Sequence, residues 1–122
     1  MHMPDVVERC VEVAAPASEV WEAVTDPDQL SLWLGVDVDM DVQPGGSARF
    51  VGPDGKRLGL VEEVVPEQRL VFCWWPTPGF GRTSRVEIDL DERDNGTEVR
   101  VVETFLSVAP APRPSLRVLA SV

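Results

Sequence analysis

The residues of this 122-residue chain that could take part in chemistry are two carboxylates, Glu63 and Glu103. Each alternates with apolar residues along a segment that predicts a strand, and side chains two positions apart share one side of a strand. A carboxylate among apolar neighbours is costly unless it is paired or hydrogen-bonded. It could act as a general base or as a polar handle for a ligand. The residues on the same side as Glu103 are Val99, Val101 and Phe105.

A purely structural role is the alternative for both carboxylates. Glu103 could pair with Arg9 or with another strand-borne arginine, and Glu63 could be solvated at the surface. Nothing in the sequence shows that the two side chains converge on one point. We therefore predict no catalytic residue and keep Glu103 and Glu63 only as candidates.

Other kinds of catalytic centre find no support in the sequence. The only histidine is His2, and Met1-His2 before Met3 resembles a cloning scar. No serine has a histidine partner elsewhere, which argues against a Ser-His triad. Cys10 and Cys73 form no CxxC pattern, and the sequence contains no histidine cluster, so we expect no metal site and no cofactor.

The net charge of the chain argues against some classes of binding partner. Eleven Lys and Arg residues against 21 Asp and Glu residues give a net charge of −10. This balance argues against a surface for nucleic acid or anionic membranes, and it favours solubility over an acidic docking face. No run approaches the roughly 20 apolar residues of a membrane span, and no signal peptide is recognisable. We expect a cytoplasmic location.

Aromatic residues recur at positions that suit either a core or a ligand cavity. Every position from Leu70 to Trp75 is apolar or a cysteine, so both sides of that predicted strand are apolar. A central strand buried on both faces is the structural interpretation. In the functional alternative, one face lines a ligand cavity and the other contributes to a dimer contact. The aromatic residues of that cavity would be Trp33, Phe50, Phe72, Trp74, Phe80 and Phe105.

Two short helices are predicted between residues 15 and 35. Pro16 suits the first helical position, because the N–H that proline lacks has no intrahelical partner there. Asp26 and Pro27 end this helix and begin the next, with Asp26 as its cap, and Gly35 can end the second helix in the left-handed conformation. Apolar residues recur at helical spacing, namely Val20, Trp21 and Val24, then Leu30, Trp33 and Leu34.

Seven strands are predicted around these helices. Alternating residues and turn signals place them at 6–14, 36–42, 47–51, 56–65, 69–75, 83–90 and 97–106. Turns are indicated by Gly45-Gly46, by Gly52-Pro53-Asp54-Gly55 and by Asn95-Gly96. Consecutive hairpins make an antiparallel meander. The predicted class is α+β, with one sheet curled around a helix or a cavity.

Four blocks of this sequence follow the order of a known family. They are APxxxVWxAVTDPxxLxxWLG at 15–35, PGG at 44–46, GLVEEVVPEQRLVFCW at 59–74 and TEVRVVETF at 97–105. Through these blocks the chain resembles the START-like, Bet v 1-like (SRPBCC) superfamily, particularly the branch of the activator of Hsp90 ATPase C-terminal domain. The resemblance implies a helix-grip fold, a curved seven-stranded antiparallel sheet with two short helices after its first strand.

The resemblance also implies which side chains face the concave side of the sheet. On the last strand it selects the side of Glu103, and on the fourth strand the side of Val61 and Glu63. The implied ligand-binding set is Trp33, Phe50, Val61, Glu63, Phe72, Trp74, Phe80, Ile88, Val101, Glu103 and Phe105.

The C-terminal end departs from the family pattern, in which a long helix lies across the concave face. Three prolines between 110 and 114 leave only 115–122 for a helix, about 12 Å of chain. We expect a truncated helix, with the apolar groove covered by a partner chain or left open. The predicted division is a tag remnant and disordered start at 1–4, a START-like domain at 5–106, and a Pro-rich linker with a shortened helix at 107–122.

Three functions agree with these features. The favoured one is non-catalytic binding of a small hydrophobic molecule, such as a lipid, a polyketide-like aromatic or a sterol-like compound, between sheet and helices. The alternatives are a protein-interaction domain similar to the Hsp90 activator, and a cyclase or dehydratase that uses Glu103. A homodimer through the exposed sheet or groove is a further expectation.

Overall fold

In the part of the chain that the structure describes, one antiparallel sheet of seven strands carries two short helices. The computed structural model describes residues 6–53, 55–77 and 82–106. Its elements are β1 (Val6–Val13), α1 (Ala17–Thr25), α2 (Pro27–Leu34), β2 (Asp37–Met40), β3 (Ser47–Gly52), β4 (Gly55–Val65), β5 (Arg69–Thr77), β6 (Ser84–Arg93) and β7 (Gly96–Phe105). The predicted helix-grip sheet and its two helices are confirmed. The expected tag remnant at 1–4, the shortened helix within 107–122 and Phe80 lie outside the described residues.

The strand order is β1-β7-β6-β5-β4-β3-β2, and every pairing is antiparallel. From β2 to β7 each strand pairs with the next along the chain. The exception is β1, which pairs with β7 from Val6 opposite Thr104 to Val13 opposite Thr97. This pairing joins the two ends of the domain.

Helix α1 receives its N-terminal hydrogen bond from a distant strand. Pro16 is the N-cap residue rather than the first helical residue, and its side chain makes no capping hydrogen bond to the helix. Instead the Ala17 N–H donates to Glu92 Oε1 on β6 at 3.0 Å, a partner 75 residues away. The Thr97 hydroxyl donates to the Ala15 carbonyl at 2.8 Å. The start of α1 is therefore tied to the turn between β6 and β7.

Helix α2 has the boundaries that its sequence predicts. The Asp26 side chain accepts a hydrogen bond from the Asp28 N–H at 3.0 Å, and Pro27 occupies the first turn. Gly35 ends the helix at φ 76°, a left-handed conformation that suits glycine. The Ser31 hydroxyl accepts from the Val38 N–H at 2.8 Å, which attaches α2 to β2.

The core lies between the helices and the concave face of the sheet. Its most deeply buried members include Leu30 of α2, Val61 of β4, Leu70 and Phe72 of β5 and Ile88 of β6. These strand residues follow the predicted alternation. Neither α1 nor α2, the helices of the described residues, has the length and apolar character of a membrane-spanning segment.

A β-bulge in β4 turns Glu63 to the outer face. Val61 lies opposite Phe72, but Glu63 lies opposite the adjacent Val71, so β4 contains one extra residue at this point. The expectation that Glu63 faces the concave side is wrong, because the extra residue reverses the alternation that the prediction assumed. The Glu63 side chain is 48% exposed and accepts from Arg69 Nε at 3.0 Å.

The two cysteines are free thiols in different environments. Cys10 is exposed on β1, whereas Cys73 is partly buried on β5. The Cys73 thiol donates to Glu62 Oε2 at 2.8 Å. Burial, followed by this hydrogen bond to Glu62, raises the pKa of the Cys73 thiol to about 12. Because thiolate is the reactive form, we expect Cys73 to react slowly near neutral pH.

Thiol labelling should separate the two cysteines. In the folded protein at about pH 8, we expect iodoacetamide to modify Cys10 readily and Cys73 only after unfolding in urea. Peptide mass spectrometry of timed samples measures both sites. Cys10→Ser is the control, which should leave almost no fast labelling. Equal rates at both sites in the folded protein would contradict this assignment.

The hydrogen bond between Glu92 and the Ala17 N–H should contribute measurably to the free energy of unfolding. We expect Glu92→Ala to lower the free energy of unfolding by about 1 kcal/mol, since the Ala17 N–H loses its acceptor. Glu92→Gln keeps a carbonyl oxygen in the same place and should lose much less. Urea unfolding measures both. Equal losses for the two variants would assign the effect to the charge of Glu92 rather than to the hydrogen bond.

Candidate functional site

Two cavities open on the concave face of the sheet. The helix-side cavity has a volume of about 530 Å³ and lies between α1, α2, β1 and β7. The aromatic cavity has a volume of about 520 Å³ and lies between the end of α2 and strands β3 to β5. Between them the concave face is filled by the packed core.

The helix-side cavity is apolar and open. Its walls include Val11 of β1 and Val99 of β7, opposite Leu32 and Trp33 of α2. Leu32 is 86% exposed and Trp33 is half exposed. Glu19 supplies the only ionisable group among the described lining residues. This cavity has many apolar contacts to offer a ligand but few groups that could orient one.

The aromatic cavity is built on rings that fix one another. The Phe50 and Trp74 ring centroids lie 4.8 Å apart at an interplanar angle of 78°. Phe72 contacts both rings, at 5.6 Å from Phe50 and 5.7 Å from Trp74. Edge-to-face contacts of this kind stabilise a defined arrangement beyond the burial of area. Leu34, Val36 and Pro76 complete the apolar wall.

A glycine in β4 makes room for this arrangement. A Cβ atom at Gly59 would lie 2.8 Å from the Cys73 carbonyl oxygen and 3.3 Å from Phe50 Cε1. Any larger residue at this position would push against the backbone of β5. The Phe50 ring can therefore lie against β4 because residue 59 has no side chain.

Trp74 connects two charged side chains on the concave face. Its indole N–H donates to Glu103 Oε2 at 3.2 Å. The Arg57 guanidinium carbon lies 4.6 Å from the centroid of the Trp74 ring, a cation–π contact. The polar partner of Glu103 in the described structure is thus an indole. Arg9, the partner expected from sequence, lies opposite Val101 and forms no ion pair with Glu103.

The predicted site residues fall in several places. Phe50 and Trp74 line the aromatic cavity and Trp33 lines the helix-side cavity. Val61, Phe72 and Ile88 belong to the packed core, whereas Val101, Glu103 and Phe105 lie half-buried along β7. Glu63 lies on the outer face. Among the residues 6–53, 55–77 and 82–106, no cluster of His, Cys, Asp or Glu is placed to hold a metal ion.

Some lining residues were not predicted. Arg57, Leu34 and Val36 line the aromatic cavity, and Val11 and Leu32 line the helix-side cavity. Strand alternation contained the signal for Arg57, because it lies two positions before Gly59 on the inward side of β4. No comparable signal exists for Leu32, whose place depends on how α2 packs.

A family model described as "Activator of Hsp90 ATPase homolog 1-like protein" matches residues 14–116 of this chain. The match includes both helices and β2 to β7. A search of curated proteins found no match to the sequence.

Several solved structures share the fold. DynU16, a protein of the dynemicin biosynthetic locus, is 31% identical with a TM-score of 0.76, and the match covers 88% of this chain. This chain spans only 40% of the DynU16 chain. CalU16 from Micromonospora echinospora is 27% identical, with a TM-score of 0.68 and coverage of 84% of this chain and 61% of its own. BH1534 from Bacillus halodurans is 28% identical, with a TM-score of 0.69 and coverage of 81% and 67%.

The link between Trp74 and Glu103 is testable by a double-mutant cycle. We expect Trp74→Phe and Glu103→Ala to show a coupling free energy of about 1 kcal/mol, because each single change removes the same hydrogen bond. Urea unfolding of the four proteins measures it. Trp75, on the outer side of the same strand, provides the control. The cycle of Trp75→Phe with Glu103→Ala should give a coupling near zero, and equal coupling in both cycles would contradict the contact.

Proposed function

Since the chain belongs to the activator of Hsp90 ATPase homolog 1-like family of the START-like superfamily, we propose that it binds a small hydrophobic molecule without catalysis. The proposed site is the aromatic cavity on the concave face. A START-like fold is a ligand-binding scaffold, and the concave side of the sheet carries two cavities of more than 500 Å³ each.

The aromatic cavity is the observation that carries this proposal. Its volume of about 520 Å³ lies within the range of small-molecule pockets, about 300–1,000 Å³. Its walls are mainly apolar and aromatic, and the Phe50, Phe72 and Trp74 rings hold one another in place. A wall that is ordered before binding lowers the entropic cost of binding.

The similarity to DynU16 supports a small organic ligand. That protein is encoded in the dynemicin biosynthetic locus, and this chain is 31% identical to part of it. A polyketide-like aromatic compound is the ligand class that fits the aromatic walls of the cavity. This chain matches only 40% of the DynU16 chain. The ligand class is therefore proposed for this chain and does not follow from the similarity alone.

The positions of the two carboxylates favour binding over catalysis. Glu63 pairs with Arg69 on the outer face, whereas Glu103 lies on the concave face. The two groups therefore cannot act together on one substrate. Glu103 already accepts the Trp74 N–H and so serves to fix the indole ring in the cavity wall.

A matched pair of variants on α2 tests the site. We expect the neutral apolar probe 2-naphthamide to bind the folded protein, as measured by isothermal titration calorimetry. Leu34→Trp places a large ring in the aromatic cavity and should weaken binding by more than about tenfold, or about 1.4 kcal/mol. Leu32→Trp places the same ring at the helix-side cavity and should leave the affinity almost unchanged.

Circular dichroism and thermal melts establish that both variants fold. If Leu32→Trp rather than Leu34→Trp abolishes binding, the ligand lies in the helix-side cavity and the assigned site is wrong. If neither 2-naphthamide nor any member of a panel of neutral lipids, sterols and polycyclic aromatics binds, the proposed function fails.

A further inference from the structure

The two cavities of the concave face differ in charge. Among the described residues that line them, the helix-side cavity has Glu19 as its charged group, whereas the aromatic cavity has Lys56 and Arg57 and no carboxylate. The chain as a whole carries 21 acidic and 11 basic side chains. The charged groups among the described lining residues of the aromatic cavity are therefore opposite in sign to the net charge of the protein.

Arg57 also differs from most other arginines of the domain. Within residues 6–53, 55–77 and 82–106, ion pairs between described residues at 4.0 Å or less involve Arg69, Arg85, Arg93 and Arg100. No carboxylate of the described residues lies within that distance of Arg57, although its side chain is half-buried. A half-buried cation with no anion gains more from a new anionic partner than an exposed one does.

The contact that Arg57 does make leaves its donors available. The guanidinium lies 4.6 Å over the Trp74 ring, and a cation–π contact consumes no N–H donor. Its N–H groups make no hydrogen bond to another described residue. A guanidinium held in one place in this way can bind a carboxylate through two parallel hydrogen bonds.

The Trp74 ring that supports Arg57 is itself held in place. Its N–H donates to Glu103 at 3.2 Å, and Phe50 and Phe72 pack against its ring. Glu103 therefore acts on Arg57 only through Trp74, as a positioning residue. The cation is placed at an apolar wall by contacts on several strands.

We infer that the ligand of the aromatic cavity is an apolar carboxylic acid whose carboxylate pairs with Arg57. Its apolar body lies against Phe50, Trp74 and Pro76. This inference rests on the proposed function and names the ligand class of the same site. Uncharged apolar molecules can enter the cavity, but they leave the guanidinium without an anionic partner.

Probes with one apolar body and different head groups test this inference. Calorimetric titrations compare 2-naphthoate, the neutral 2-naphthamide and the cationic 2-naphthylmethylammonium in low salt. We expect 2-naphthoate to bind about tenfold more tightly than 2-naphthamide, as a charge-assisted pair with arginine predicts. The cationic probe should bind more weakly than the neutral one.

Three arginine variants test whether Arg57 causes the preference for 2-naphthoate over 2-naphthamide. Arg57→Met keeps an unbranched apolar side chain and should abolish the preference, so that 2-naphthoate binds no more tightly than 2-naphthamide. Arg57→Lys keeps the charge without the planar donor group and should retain part of the preference. Arg49→Met makes the same change of net charge on β3, at an exposed residue opposite Leu58, and should retain the full preference.

The outcomes separate the two proposals. Equal affinity for 2-naphthoate and 2-naphthamide overturns the carboxylate inference and leaves hydrophobic binding in place. A preference for 2-naphthoate that survives Arg57→Met, or is lost in Arg49→Met, also overturns it. If no probe binds, hydrophobic ligand binding fails and the inference fails with it. Circular dichroism and a thermal melt establish that Arg57→Met is folded, and Arg57→Lys gives a second measurement of the preference.

Discussion

The pairing of β1 with β7 is the constraint on which the rest of the fold depends. Every other ladder joins strands that follow each other along the chain, so hairpins alone can form it. The β1–β7 ladder instead joins the two ends of the domain. Both helices and the strands β2 to β6 lie between β1 and β7 in the sequence. The Thr97 hydroxyl and the Glu92 carboxylate then attach the start of α1 to β6 and β7. The helices thus lie over one face, which becomes concave, apolar and available to a ligand.

The opposite face of the sheet is organised by ion pairs. Arg69 contacts Glu63, Glu87 and Asp89 at 2.8–3.2 Å, which links β4, β5 and β6. Between Glu63 and Glu87 in the ladder lies Val71, which has no exposed surface. Long charged side chains can cover apolar area while their charged groups remain in water. This explains why β5 is apolar on both sides without an additional layer of structure among the described residues.

Much of this fold can be predicted from the sequence, because its signals are local. Asp26 and Gly35 mark the ends of α2 through their own hydrogen bonds and backbone angles, and strand alternation identifies most core positions. Contacts between distant residues are harder to predict. The bulge near Glu63 leaves no signal in a segment with two consecutive glutamates, and the Glu92 hydrogen bond needs the completed sheet. The same limit applies to the site, where Phe50 and Trp74 were predicted and the Arg57 contact with Trp74 was not.

The outer face and the concave face of the sheet differ in how their charges are paired. This difference explains how an acidic protein could bind an anionic ligand. The carboxylates of the Arg69 cluster and of the Arg93 and Arg100 ion pairs already face cations on the exposed side or edge of the sheet. At physiological ionic strength, charges separated by more than about 8 Å are largely screened, provided that water lies between them. A carboxylate in the aromatic cavity would instead be governed by the nearest group, the Arg57 guanidinium on the Trp74 ring. The net charge would slow the approach of an anionic ligand, whereas the local cation would determine whether it stays bound.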